Sequence, residues 1–484
     1  MPILNLQNVD WQADVHWFDF EDLCLLLDVN SGAVHIIDAP ARAVLEELSE
    51  GGQQGILDET GYLSAIPRSA AAWGAAIALE VYRELADKQA AGTLFTTDIA
   101  VLSYQPPQPI LQALCLHVAH DCNMRCRYCF ADGGPFGGER GLMSRDTGYR
   151  ALDLLFRESG HRPRVEVDFF GGEPLLNFAV VQDLVTYGRA RAAAAGKRIS
   201  FTLTTNSLGL TPAIEEYLVA NQISVILSLD GRPEVHDYNR RTITGQGTYA
   251  AIVPRQQHFV AAQEHRDYWV RGTYTRQNLD FTKDILHMAG LGFRYLSLEP
   301  VVAAPEQEYA IREEDLPRLA LEYRHLARAY LEAADRGEAF SFFHFNIDAA
   351  AGPCLNKRLT GCGAGTSYLA VTPGGDLYPC HQLVGQRDYR LGNVREGIQQ
   401  PALREEFRQA YVYNQPACRR CWARFYCSGG CHAANLAATG SLREPAPVAC
   451  SLQKMRLEAA LYVQVQAGRK ICQAGRIPAT QGRI

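Results

Sequence analysis

Between Leu111 and about Val302 the chain alternates between runs that read as strands and runs that read as helices. Strands are predicted at 113–118, 165–170, 199–205, 223–229, 267–274 and 293–298. Helices are predicted at 144–159, 177–194, 211–220, 248–264 and 282–290, with a long one at 313–336. Repeated βα units demand a parallel sheet, because each helix must carry the chain back to the same end before the next strand begins. Such α/β sheets place their ligands at the carboxyl ends of the strands.

The first strand, Ala113-Leu114-Cys115-Leu116-His117-Val118, runs into Asp121-Cys122-Asn123-Met124-Arg125-Cys126-Arg127-Tyr128-Cys129-Phe130. Thiolates separated by three and then two residues can hold three corners of a cubane [4Fe–4S] cluster and leave the fourth iron without a protein ligand. Zinc usually takes four ligands from two separated pairs, which the uneven triplet fits poorly. A helical core seam is a further alternative, since positions 122, 126 and 129 would share one helix face. After the second strand comes Gly171-Gly172-Glu173-Pro174. Its glycines let the backbone approach a ligand and its carboxylate can hold an amine, though alone it would more often be a tight turn. Thr204-Thr205-Asn206 follows the third strand and Ser228-Leu229-Asp230-Gly231 the fourth. Arg271 is a charge where a buried strand should be apolar, facing either a ligand carboxylate or an ordinary salt-bridge partner. Leu298-Glu299-Pro300 closes the set.

At 484 residues the chain should hold two or three domains, and a net charge of −6 argues against a nucleic-acid partner. The start, Met1-Pro2-Ile3-Leu4-Asn5, lacks a secretory signal. The most apolar windows, such as Ala70–Leu79, are too short to span a bilayer, so a cytoplasmic protein is expected. Fourteen cysteines without an export signal point to metal or redox chemistry rather than disulfides. Cys24, Cys115 and Cys472 stand apart and read as buried or incidental thiols. The other eight are Cys354, Cys362, Cys380, Cys418, Cys421, Cys427, Cys431 and Cys450, enough for two further clusters or a pair of structural zinc sites.

Ahead of the alternating region, Val15–Phe20, Leu23–Asp28 and Ala33–Ile37 read as short strands, and Ala41–Glu50 and Ala70–Ala91 as helices. This unit could bind a peptide as an added strand on a sheet edge, or serve as a plain cap or dimer surface. Thr93–Pro109, with Pro106, Pro107 and Pro109, is the linker run.

The triplet spacing, with an aromatic after its last cysteine, resembles the signature of the radical S-adenosylmethionine (SAM) superfamily, and Gly375-Asp376-Leu377-Tyr378-Pro379 leading into Cys380 resembles the SPASM domain of its peptide-modifying members. The resemblance implies a partial (β/α)6 barrel at 111–310. It also implies a winged-helix-like leader-peptide domain at 1–100, a linker at 101–110, a helical bridge at 311–345 and a SPASM domain at 346–484. Cys122, Cys126 and Cys129 would then hold the radical-generating cluster. SAM would lie against Tyr128, Gly171, Gly172, Glu173, Pro174, Thr205, Asn206, Ser228, Asp230, Arg271 and Leu298. Cys354, Cys362, Cys380 and Cys431 would hold auxiliary cluster I, and Cys418, Cys421, Cys427 and Cys450 auxiliary cluster II, making three [4Fe–4S] clusters in all.

Further runs are similar to the SCIFF-peptide maturases: Leu27-Asp28-Val29-Asn30-Ser31-Gly32-Ala33-Val34-His35, the segments 166–175 and 421–431, Phe342-Phe343-His344-Phe345, and Tyr378-Pro379-Cys380-His381-Gln382. Those enzymes join a cysteine sulfur to a carbon of another residue in a small cysteine-rich precursor, and the same is expected here. A reductant such as flavodoxin or ferredoxin would supply electrons, and neither nucleic acid nor membrane would be a partner. His344, His381 and Asp376 are candidates to accept the thiol protons. Competing products are formylglycine, an epimerised residue or a carbon–carbon crosslink. A different class, a zinc-stabilised peptide-binding protein, is the remaining alternative.

Overall fold

A computed structural model describes residues 3–98, 100–347 and 355–473, with side chains left undescribed at 355–357 and 471–473. Cys354 and the side chain of Cys472 therefore lie outside the described residues.

The expected strands are present at Ala113–Ala119, Arg164–Gly171, Arg198–Thr205, Ser224–Ser228, Tyr268–Tyr274 and Tyr295–Pro300. They lie side by side in chain order and pair in parallel throughout, with Ser341–Phe342 added beyond the last. Sequential order with crossovers of one hand puts every helix on the same face, which is the plan of an open barrel rather than of a doubly wound sheet. Helices Arg145–Glu158, Phe178–Ala194, Pro212–Ala220, Tyr249–Ala262 and Thr282–Gly290 cover that face. Leu114, Leu116, Val118, Val165, Val167, Phe169, Leu203, Val225, Leu227 and Val270 are buried beneath them. Each such side chain contributes about 1.5–3 kcal/mol. Ser144 caps the first of these helices through the Thr147 N–H at 3.1 Å, and Thr211 caps another through the Ile214 N–H at 3.4 Å.

The sheet does not end at its first strand. Tyr368–Val371 pairs in parallel with Ala113–Leu116, and Asp376–Tyr378, Gly392–Asn393 and Gly397–Ile398 extend it by antiparallel steps to eleven strands. The cysteine-rich C-terminal region is thus built directly onto the barrel edge.

In the N-terminal unit Val15–Phe20, Leu23–Asp28 and Val34–Ile37 form an antiparallel sheet. Helix Ala39–Glu50, capped by Asp38 through the Ala41 N–H at 2.9 Å, packs on it. Its other face, through Phe18, Phe20, Leu25 and Leu27, joins the main core, where Phe20 meets Tyr462 of the C-terminal helix Pro447–Gln473. The single helix expected over Ala70–Ala91 is two, Pro67–Trp73 and Ala75–Ala90. Gly74, at φ +85°, sits where the helical path breaks. Among the described residues no helix is long and apolar enough to cross a membrane.

Candidate functional site

The cysteine triplet lies on the loop leaving the first barrel strand. It is not helical: Met124–Cys126 pairs antiparallel with Arg240–Thr242, setting Cys126 opposite Arg240, and the Arg127 N–H donates to Asn239 O at 2.9 Å. That pairing removes the core-seam alternative. Arg125 fastens the loop from within, its Nη1 donating to the carbonyls of Cys122 and Met124, each at 2.7 Å, and to that of Gly133 at 3.2 Å. Cys122, Cys126 and Cys129 remain free thiols close enough to act on one another electrostatically. Burial pushes the Cys122 thiol up to about 11 and the Cys126 thiol up to about 12. Thiols held up in this way become anionic only beside concentrated positive charge, so these donors suit an iron–sulfur cluster.

The end of the second barrel strand presses against this loop. The Gly172 N–H donates to Ala119 O at 2.8 Å and the Glu173 N–H to Asp121 O at 2.9 Å. A Cβ on Gly171 would stand 2.3 Å from Ala119 O, and one on Gly172 would stand 2.1 Å from Asp121 O, so no side chain fits at either position. Glu173 is 1 % exposed, and its carboxylate accepts the Thr205 hydroxyl at 2.8 Å and the N–H groups of Asn206 at 2.8 Å and Leu175 at 3.1 Å. It therefore binds two strand ends together, and Oε2, which accepts only the Asn206 N–H, keeps one acceptor position open. Pro174 is buried at the start of the turn that follows. Asn206 reaches the triplet itself: its Nδ2 donates to Asn123 Oδ1 at 2.8 Å and lies 3.6 Å from Cys122 Sγ.

Tyr128, between the last two cysteines, donates its hydroxyl to Asp230 Oδ2 at 2.6 Å and accepts from Arg240 Nη1 at 2.8 Å. Arg240 also stands 3.6 Å from Asp230 Oδ1, which accepts the Thr273 N–H at 3.1 Å. A second chain of bonds runs behind this one. The Asp230 N–H donates to His236 Nδ1 at 3.3 Å, His236 Nε2 lies 3.0 Å from Thr248 Oγ1, and the Thr248 hydroxyl donates to Arg240 O at 2.9 Å. Burial, and then Arg240, push the His236 imidazole down to about 2, so it works as a neutral ring. Arg240 and His236 were not singled out by the sequence reading. The signal available was His236 and Arg240 four residues apart, along one short helix leading into the Arg240–Thr242 strand.

Ser228 is half-buried at its strand end, where its carbonyl accepts Gln256 Nε2 at 3.1 Å. Leu298 is buried, its side chain packed toward Gly272. Arg271 departs from the expectation of a buried charge: its side chain is 53 % exposed, because its strand turns alternate residues away from the helices. Its nearest anion is Glu299, at 3.8 Å. Burial opposes ionisation of Glu299, but His344 at 3.0 Å and Arg456 at 3.4 Å, with Arg271, hold its carboxyl well below the usual range. His381 Nδ1 lies 3.1 Å from the Tyr368 hydroxyl, and Asp376 is held by Arg390 at 2.7 Å.

The C-terminal thiols act on one another electrostatically in two groups, and Cys380 acts on the buried Cys115 of the first barrel strand as well. Cys380 is influenced by Cys431 and Cys362, and Cys431 by Cys362. Cys418 is influenced by Cys427, Cys450 and Cys421, and Cys427 by Cys450 and Cys421. Twelve cysteines are free thiols, and among the described residues no group of three or more His, Cys, Asp or Glu side chains is drawn together tightly enough for a single metal ion.

Two family models match the chain: a 4Fe-4S single cluster domain over residues 113–253 and the SPASM iron–sulfur cluster-binding domain over residues 362–422. Curated relatives include the serine-type anaerobic sulfatase-maturating enzyme of Klebsiella aerogenes, 25 % identical over 71 % of this chain and 84 % of that protein. Mycofactocin maturase MftC of Mycolicibacterium smegmatis is 26 % identical over 66 % of this chain and 78 % of its own length. Among solved structures, anSMEcpe with bound AdoMet and the Cp18Cys peptide aligns with a TM-score of 0.61 at 20 % identity, covering 75 % of this chain and all of that one. SuiB of Streptococcus suis bound to S-adenosylmethionine aligns with a TM-score of 0.51 at 16 % identity, covering 92 % of this chain and all of that one. With the parallel barrel, the triplet at its first strand end and the two matched models, the chain carries a radical SAM domain followed by a SPASM domain, and its homologues include anaerobic sulfatase maturases and mycofactocin maturase.

Proposed function

We propose that this protein is a radical SAM maturase that forms thioether crosslinks, cysteine sulfur to carbon, within a cysteine-rich precursor peptide. The observation that carries the reading is the placement of the Cys122/Cys126/Cys129 loop at the end of the first strand of a parallel barrel, followed by a SPASM match over residues 362–422 that takes in Cys362, Cys380, Cys418 and Cys421. We read the triplet as the ligands of a radical-generating cluster and the C-terminal cysteines as the ligands of two auxiliary clusters; Cys354 enters the second set by the sequence resemblance alone. When bound, a cluster with an open iron supplies the electron that splits SAM into methionine and a 5′-deoxyadenosyl radical.

The chain's own residues prepare that place. Gly171 and Gly172 allow close backbone approach, and Glu173 fixes Thr205 and Asn206 beside Cys122. Tyr128, Asp230 and Arg240 lock the loop that carries the cysteines. Arg271, half in solvent, is the cation offered to a carboxylate in the barrel. Strand Val34–Ile37 pairs on one side only, with Ile36 49 % exposed, which leaves an edge on which a leader peptide can add. The fold shared with SuiB covers more of this chain than that shared with anSMEcpe, 92 % against 75 %.

The test is co-expression with a cysteine-rich precursor, followed by mass analysis. A thioether leaves the peptide two hydrogens lighter per crosslink, with one alkylatable thiol fewer. Formylglycine from a serine would also leave the peptide two hydrogens lighter but with every thiol still alkylatable; from a cysteine it would exchange sulfur for oxygen with the loss of two hydrogens, and epimerisation would leave the mass unchanged.

A further inference from the structure

Alternate residues of the segment Arg420–Arg424 leave the cysteine loop and enter the N-terminal unit. Arg420 pairs with Asp10 at 3.0 Å. Trp422 stacks on His16 with ring centroids 3.8 Å apart and planes 4° from parallel. Arg424 is 2 % exposed: its Nη2 donates to Asn30 Oδ1 at 2.6 Å and to Asp14 Oδ1 at 3.0 Å, its Nη1 donates to Ala13 O, and its Nε stands 4.0 Å from Asp98 Oδ2. The receiving cage is itself tied down. Asn30 Nδ2 donates to Asp14 Oδ1 at 3.0 Å and to Thr96 O at 2.7 Å, and the Tyr413 hydroxyl reaches Asp98 at 2.8 Å.

The cysteines on either side serve the other partner. Cys421 and Cys427 flank Arg424 and lie within electrostatic reach of Cys418 and Cys450. The local structure between them is a four-residue helical turn, Arg424–Cys427, far too short to hold its own shape. The reach of the three docking side chains is therefore set by the core packing of Ala423 and Phe425 together with whatever fixes the flanking thiols. A buried guanidinium without its anions, or the anions without it, is strongly disfavoured, so the N-terminal unit and the loop tolerate separation poorly.

We propose that Arg420, Trp422 and Arg424 are positioning residues that make the seating of the N-terminal sheet conditional on a filled Cys418/Cys421/Cys427/Cys450 centre. The inference rests on the reading of those four thiols as an iron–sulfur site. Because linkage is reciprocal, whatever seats the sheet more firmly also stabilises the centre.

Hydrogen exchange by mass spectrometry on the full-length, cluster-loaded protein tests this, read at amides 13–30 together with iron per chain. Cys450→Ala, in the C-terminal helix and distant in sequence from the docking segment, should lose about four irons and speed exchange in that window about tenfold. Arg424→Gln should speed it similarly and also hasten iron release to a chelator, while Arg424→Lys falls between. The double variant should exchange no faster than Cys450→Ala alone, since both act through one element, whereas two independent structural defects would add. If Cys450→Ala fails to fold, wild-type protein under chelation replaces it, and exchange must rise in step with iron loss. Iron loss with unchanged exchange at 13–30, or additive effects, would overturn the linkage. A Cys450→Ala protein that keeps all its iron would instead sink the four-thiol reading, and the linkage with it.

Discussion

Tyr128 donates its hydroxyl to Asp230 Oδ2 at 2.6 Å, joining the residue between the second and third cysteines of the triplet to the end of the fourth barrel strand. Asp230 is fully buried, and burial raises its carboxyl above the ordinary carboxylate range despite Arg240 nearby. Removing the hydroxyl in Tyr128→Phe leaves a buried carboxylate short of one donor and Arg240 short of one acceptor. The expected cost is about 2 kcal/mol of stability, with iron binding at the triplet retained, checked by denaturant unfolding and iron analysis.

Gly172→Ala sets a methyl group 2.1 Å from Asp121 O, a backbone atom with nowhere to move, because Asp121 O also accepts the Glu173 N–H. We expect a loss of about 3 kcal/mol and a disturbed triplet loop. Gly141→Ala, where a Cβ meets nothing within 4 Å, should change stability by less than about 0.5 kcal/mol. Comparing the two unfolding midpoints isolates the steric term.

Truncating Glu173 to Ala deserts three donors at once, the N–H groups of Leu175 and Asn206 and the Thr205 hydroxyl. The expected cost is about 3 kcal/mol, and Asn206 should no longer stay beside Cys122. Slower iron uptake by the apo-protein is the accompanying readout.

His236 is held neutral, pushed from 6.5 to about 2 by burial and then by Arg240. Below pH 6.5 the unfolded chain binds a proton there that the folded chain refuses until about pH 2, so stability falls as pH falls across this window. The slope from this group approaches about 1.4 kcal/mol per pH unit. His236→Asn should flatten the acid side of the stability profile while weakening the bond to Thr248, as measured by urea unfolding between about pH 7.5 and 5.5.

The barrel was legible because each strand carries its own buried face and each helix its own period, both local properties. Even so, the sixth strand lies two residues later than expected, at Tyr295–Pro300, since Phe293 packs in the core without joining the ladder. The break at Gly74 was hidden in a run of small residues that supports helix on either side. Met124–Cys126 and Arg240–Thr242 are too short to show a period, and they meet only once the barrel has brought residues more than a hundred apart together. The same holds for Tyr368–Val371 beside the first strand. Spacing alone allows the C-terminal cysteines several groupings, because it does not say which thiols the fold brings together.

The most direct test of the central claim is anaerobic, reduced protein incubated with SAM and assayed for 5′-deoxyadenosine, with iron and zinc counted on the same sample. The account predicts 5′-deoxyadenosine from a protein carrying about twelve irons per chain, and none from Cys126→Ala, which should lose only the triplet's irons. Wild-type protein that forms no 5′-deoxyadenosine, or that carries zinc in place of iron at the triplet, would contradict it.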